Sequence, residues 1–106
     1  MGFSKFNLND TLMQGIDAIQ YTEPTPVQDL AIPLILEGKD LMGFAQTGTG
    51  KTAAFLIPVI QRFDGLVKHN IKCLILVPTR ELAQQIEAHI TGLAYFTSVT
   101  FQAVYG

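Results

Sequence analysis

The residues best suited to chemistry are Ala45-Gln46-Thr47-Gly48-Thr49-Gly50-Lys51-Thr52. Gly48 and Gly50 let the backbone curl so that successive N–H groups converge on one point, and a helix opening at Lys51 adds roughly half a positive charge behind them. That arrangement suits phosphate oxygens. The Lys51 amine would reach the β- and γ-phosphates of a triphosphate, and the Thr52 hydroxyl would serve Mg²⁺, which bridges phosphate oxygens and neutralises charge there. The general pattern asks for Gly, four residues, then Gly-Lys and Ser or Thr; Ala45 replaces the first Gly, while Gly50, Lys51 and Thr52 match. Without a ligand the same stretch would be an ordinary Gly/Thr-rich turn.

A second constellation precedes it. In Tyr21-Thr22-Glu23-Pro24-Thr25-Pro26-Val27-Gln28, the Gln28 carboxamide carries an acceptor and a donor side by side, which can match the N6 amino group and N7 of adenine. Thr25-x-x-Gln28 is also a capping box, in which Gln28 returns a hydrogen bond to the Thr25 backbone; both readings stand. Phe3 and Tyr21 could offer ring faces to a base or could be core. A third stretch, Pro78-Thr79-Arg80-Glu81-Leu82-Ala83, opens a helix, where N–H groups, a hydroxyl and a guanidinium suit a phosphate backbone. Its structural alternatives are an N-cap for Thr79 and a surface cation for Arg80.

The elements that must position these residues follow from periodicity. Leu8, Leu12, Ile16 and Ile19 fall on one stripe of a first helix, which Asn9 or Asp10 could cap. Thr25 as N-cap with Pro26 at the first helical position predicts a second helix, with Val27, Leu30, Ala31, Leu34 and Ile35 as its apolar positions and a stop at Gly38. Asp40–Ala45 reads as a short strand, Gln46–Gly50 as a glycine-rich loop, and about Lys51 to Phe63 as a third helix, apolar nearly all round and ended by Gly65. Ile71–Val77 is a continuous apolar run, the pattern of a strand covered on both faces. Leu82, Ile86, Ile90 and Leu93 mark a fourth helix, and alternation from Val99 to Tyr105 predicts a third strand ending at Gly106. Strand, helix, strand, helix, strand is the order of an α/β domain with a parallel sheet and flanking helices.

Composition sets the bounds. The chain of 106 residues is 48% apolar and 15% charged, which excludes disorder and suits one small domain or part of a larger one. Soluble domains average about 25% charged residues, so neighbours are expected on part of its surface. A net charge of −2 gives no basic field to draw the whole chain onto nucleic acid, so such a role must be local. The single cysteine, Cys73, excludes an internal disulfide and suits a reducing, cytoplasmic setting. Neither a secretory leader nor an apolar stretch of membrane-spanning length is evident, so no membrane partner is expected.

Taken together, the three motifs resemble those of the DEAD-box RNA helicases. Ala45–Thr52 is similar to that family's motif I, in which Ala at the first position is usual. Residues 3–28 resemble its Q motif, with Phe3 at the distance of the upstream aromatic, and with Gln20 where the family usually has Gly before the aromatic. Pro78–Ala83 resembles motif Ia, and Tyr105-Gly106 stands where the family carries a Gly-Gly motif. The resemblance implies that residues 1–106 are the N-terminal portion of a first RecA-like domain, truncated before the Asp-Glu-Ala-Asp motif. It implies ATP and Mg²⁺ as cofactors, with Phe3, Tyr21, Gln28 and Ala45 through Thr52 at the nucleotide. Lys51 and Thr52 would be the catalytic pair and Thr52 the metal contact. It further implies sequence-independent RNA contacts from Pro78, Thr79, Arg80 and Gly106, and ATP-dependent opening of short RNA duplexes by the parent protein. The segment alone, lacking Asp-Glu-Ala-Asp, Ser-Ala-Thr and an arginine finger, is expected to bind nucleotide at most. The alternatives are another P-loop phosphotransferase or a non-catalytic nucleotide-binding fragment.

Overall fold

The structure, a computed structural model, describes residues 2–41, 50–65 and 73–104. Among them are a 3-10 helix, Gly2–Phe6, and four α-helices: α1 (Asp10–Ala18), α2 (Pro26–Leu36), α3 (Lys51–Phe63) and α4 (Arg80–Leu93). Each α-helix lies where the apolar spacing predicts it. Leu8, Leu12 and Ile16 are buried from the α1 stripe, and Ile86 and Leu93 from that of α4. α3 buries Ala53, Ala54, Leu56, Ile57, Pro58 and Ile60, so it forms the middle of the core, with α2 packed along it. α1 crosses α4 very closely: a Cβ at Gly15 would fall on the Leu93 carbonyl, and one at Gly92 would lie 2.8 Å from Ile19 Cγ2. Side-chain volume at either position would push the helices apart.

The buried face of α2 differs from the predicted one. Leu30 is 73% exposed, while Gln28, Ala31 and Ile32 are buried. These three are spaced at i, i+3 and i+4, a helical face that contains the expected Ala31 and a polar side chain, with the expected Val27, Leu34 and Ile35 partly buried beside it, so counting apolar residues alone misplaces Leu30 and misses Gln28 and Ile32.

The parallel sheet predicted from the alternation is not present among the described residues. Residues 73–77 and 99–104 carry no strand, Asp40 and Leu41 have no regular structure, and the remainder of the expected strands at 42–45, 71–72 and 105 lies outside the described residues. Nor is the run ending at Val77 covered on both faces. Ile75 and Val77 pack against the core, whereas Leu74 and Leu76 are 77% and 84% exposed. An apolar run reads as a strand from its pattern, but a strand exists only where a neighbour completes the backbone ladder.

Candidate nucleotide site

The capping box at the start of α2 is formed. Thr25 sits in extended backbone, its Oγ1 accepts from the Gln28 N–H at 3.4 Å, and Gln28 Oε1 accepts from the Thr25 N–H at 2.9 Å. The same side chain reaches further: Gln28 Nε2 donates to the Gly50 carbonyl at 3.2 Å, across 22 positions of sequence. Gln28 is 2% exposed. These two bonds settle which end of the amide is oxygen and which nitrogen. Among the described residues they use one of the oxygen's two lone pairs and one of the nitrogen's two N–H groups, which leaves each end able to take one more partner. Cap and base recognition are therefore compatible in one side chain.

Gly50 is the point where this bond meets the glycine-rich loop. It lies in the left-handed region at φ 86°, ψ 21°, a conformation that costs other residues about 1–2 kcal/mol. A Cβ there would stand 2.5 Å from Gln28 Nε2 and 3.2 Å from Thr25 Oγ1. The position thus needs glycine twice over, for its backbone angle and for the room that the buried amide occupies. Gly50, the N-cap of α3, has no side chain with which to cap the first turn, in contrast to Thr25 and Thr79, which cap α2 and α4. The leading N–H groups of a helix that starts on glycine suit an anion. Lys51 is exposed and Thr52 half-buried. Ala45, Gln46, Thr47, Gly48 and Thr49 lie outside the described residues.

Phe3 is buried, 3% exposed. Its ring stacks on that of Tyr21 with centroids 6.1 Å apart and planes 21° apart, and is tilted at 59° to Phe6 at the same centroid distance. Tyr21 is the more accessible of the stacked pair. Its entry is fixed by the end of α1, where Gln20 N–H bonds the Asp17 carbonyl and Tyr21 N–H bonds that of Ile16. This is a Schellman closure, and it places Gln20 at φ 66°. The 3-10 helix that carries Phe3 is too short to show an apolar periodicity in the sequence.

At the start of α4, Pro78, Thr79 and Arg80 are exposed. Thr79 is the N-cap, its Oγ1 accepting from the Leu82 N–H at 3.1 Å. Gly106 lies outside the described residues.

One polar cluster joins residues too far apart for any local motif to announce it. Asp64 follows the last residue of α3, and its carboxylate accepts from Thr11 Oγ1 at 2.6 Å, Asn9 Nδ2 at 3.2 Å, Ser98 N–H at 3.0 Å and Ser98 Oγ at 3.1 Å. The Ser98 backbone N–H first, then the Thr11 hydroxyl, hold its pKa down from the ordinary 3.8 to about 2. Asn9, one of the two residues expected to cap α1, stands at the N-cap without a side-chain cap bond and exchanges two hydrogen bonds with Gln61 at 2.8 and 3.2 Å. The cluster joins residues 9–11, 61–64 and 98, separations that no local motif spans.

The family model of the DEAD/DEAH box helicases matches residues 25–106. The chain is 47% identical over 104 residues to the ATP-dependent RNA helicase CshA of Listeria monocytogenes, covering 98% of this chain and 20% of that one. It thus spans about a fifth of the length of the CshA helicases it matches. Its structure is similar to that of the RNA-helicase Prp28 from Chaetomium thermophilum bound to ADP, with a TM-score of 0.88 and 39% identity, covering 99% of this chain and 26% of that one. A hypothetical ATP-dependent RNA helicase from Sulfolobus tokodaii matches 84% of this chain and 25% of its own at a TM-score of 0.75 and 36% identity.

Proposed function

Because the chain belongs to the DEAD/DEAH box helicase family, we propose that it is the ATP-binding segment of an ATP-dependent RNA helicase that opens short RNA duplexes. The observation that carries this reading is the Gln28 carboxamide, buried and bonded at once to the Thr25 N–H and the Gly50 carbonyl. It ties the candidate base-recognising residue to the last glycine of the candidate phosphate loop. In this reading Gln28 takes N6 and N7 of adenine with its remaining acceptor and donor, Tyr21 backed by Phe3 offers a ring face, and residues 45–52 hold the phosphates.

The N terminus of α3 suits a triphosphate, since its N-cap, Gly50, brings no side chain of its own to the leading N–H groups and its left-handed backbone turns the chain into the helix beside Gln28. The Thr52 hydroxyl is a hard oxygen donor suited to Mg²⁺, which would neutralise charge on the phosphate oxygens. Lys51 adds a mobile ammonium beside the same helix end. Thr79 and Arg80, exposed at the start of α4, together with Pro78 and Gly106, would touch an RNA backbone without reading sequence. The parallel sheet belongs to this proposal too: its strands at 40–45, 71–77 and 99–105 would pair as in a RecA-like domain, which the likeness to helicase structures favours. A cytoplasmic location accords with a free, exposed Cys73; among the described residues no helix is long and apolar enough to cross a membrane.

The test is nucleotide titration of Lys51→Ala. A charged hydrogen bond contributes about 1.5–3 kcal/mol, so ATP affinity should fall by roughly tenfold or more with the thermal midpoint unchanged. Equal affinity in variant and wild type would refute the loop assignment. Gln28→Ala, titrated with ATP and GTP, should lose the preference for ATP.

A further inference from the structure

A contact path leaves the helix turn that holds Gln28 and returns to Tyr21. Asp29, the next residue after Gln28, pairs with Lys5, Oδ1 to Nζ at 2.6 Å. The Lys5 ammonium lies 5.6 Å from the centre of the Phe6 ring, Phe6 is tilted against Phe3, and Phe3 stacks on Tyr21. The path thus runs from the residue that follows Gln28 on α2 to Tyr21, the ring proposed to face the base. Between them stands the 3-10 helix Gly2–Phe6, and Lys5 is its ionic attachment to α2.

We propose that Lys5 is a positioning residue of the nucleotide site: by pairing with Asp29 it clamps the N-terminal 3-10 helix across the first turn of α2, so that Phe3 backs Tyr21 at the spacing from Gln28 that a purine requires. The inference rests on the adenine reading of Gln28 and Tyr21. A purine held at its edge by a fixed amide and on its face by a ring loses affinity when either contact drifts, because positioning errors well below a bond length weaken paired hydrogen bonds. The ion pair is half-exposed, with side-chain exposures of 47% and 42%, so its effect is small and needs a cycle to isolate it.

The experiment is calorimetric titration of the full chain with ATP and with GTP, in the presence of Mg²⁺, for wild type, Lys5→Ala, Asp29→Ala, the double variant and the swapped pair Lys5→Asp with Asp29→Lys. Each single substitution should weaken ATP binding by about two- to fivefold. The double variant should be no weaker than either single one, and the swap should regain most of the loss. GTP binding should change less. Opposite signs for the two single variants would mean a bare charge effect on an anionic ligand and would overturn the clamp. So would lowered thermal midpoints with unchanged ATP affinity, which is the result of a purely structural ion pair. Gln28→Ala in the same series separates the two readings. If it abolishes the ATP preference while the Lys5 and Asp29 variants bind normally, only the clamp fails; if it leaves the preference intact, or wild type binds neither nucleotide, the base site fails and the clamp with it.

Discussion

At its N-terminal end α3 starts on Gly50, whose carbonyl accepts from the Gln28 side chain and which itself has no side chain to cap the first turn. At the other end Asp64 gathers four hydrogen bonds on one carboxylate, from residues of α1, the residue before it, and the segment after α4. The second end is the electrostatically awkward one, since an anion at a helix C terminus opposes the macrodipole. The donors around Asp64 outweigh that cost, as the depressed pKa of its carboxyl shows. One end of the helix thus starts on a residue with no capping side chain, while the other gathers four donors on its carboxylate and anchors the helix against two other elements. The same helix is therefore held firmly by the end remote from the candidate chemistry, which lets the chemical end be shaped by recognition rather than by stability.

The largest effect should come from placing a methyl group at the open end. In Gly50→Ala the residue must hold φ near 86° and its Cβ must share space with Gln28 Nε2. Strain and displacement together should cost about 2–3 kcal/mol of stability, and the displaced amide should cost ATP preference as well. Denaturant unfolding and nucleotide titration of the same sample check both parts. A variant that is destabilised but still prefers ATP would break the link between this end of the helix and base selection.

The anchored end should behave oppositely, losing stability and keeping selectivity. Asp64→Asn replaces a carboxylate by an amide whose NH₂ faces donors, at a cost of about 1–2 kcal/mol given its partial exposure. The sign of the pH dependence follows from the direction of the shift. A folded-state pKa lowered from 3.8 to about 2 adds stability that is whole above the unfolded value and is lost as pH falls from there through about 2. The thermal midpoints of wild type and Asp64→Asn should therefore differ by a constant amount near neutral pH and converge below about pH 4. A gap that persists at about pH 2 would assign the loss to packing rather than to the carboxylate.

The same contrast explains what could be read in advance. Lys51–Phe63 as a helix, Thr25 as its neighbour's N-cap and Thr79 as the cap of α4 are local facts, set by residues within one turn of each other, and the structure bears them out. The burial of Gln28 was half legible: the capping box is written in Thr25-x-x-Gln28, but the bond to Gly50 depends on how α2 lies along α3. The Asp64 cluster was not legible at all, because its members are separated by about fifty residues on one side and over thirty on the other. The strands fall in a third class. Apolar runs at 71–77 and 99–105 state a need for partners, and pairing is a property of the neighbours as much as of the run.

The smallest effect concerns the approach to Tyr21. α1 and α2 both end in a Schellman closure, with Gln20 and Gly38 in the same left-handed position at φ 66° and 83°. Only glycine adopts that conformation without a Cβ penalty, so Gln20→Gly should stabilise the chain. Part of the gain is offset by the greater freedom of glycine in the unfolded chain, leaving about 0.5–1 kcal/mol, or a rise of roughly 2–8 °C in thermal midpoint. If the turn only delivers Tyr21 to its stack with Phe3, ATP and GTP affinities should be unchanged beside that rise. A higher midpoint accompanied by weaker ATP binding would instead mean that the strained turn holds the ring in place, and would extend the open, recognition-shaped region of the molecule back to the end of α1.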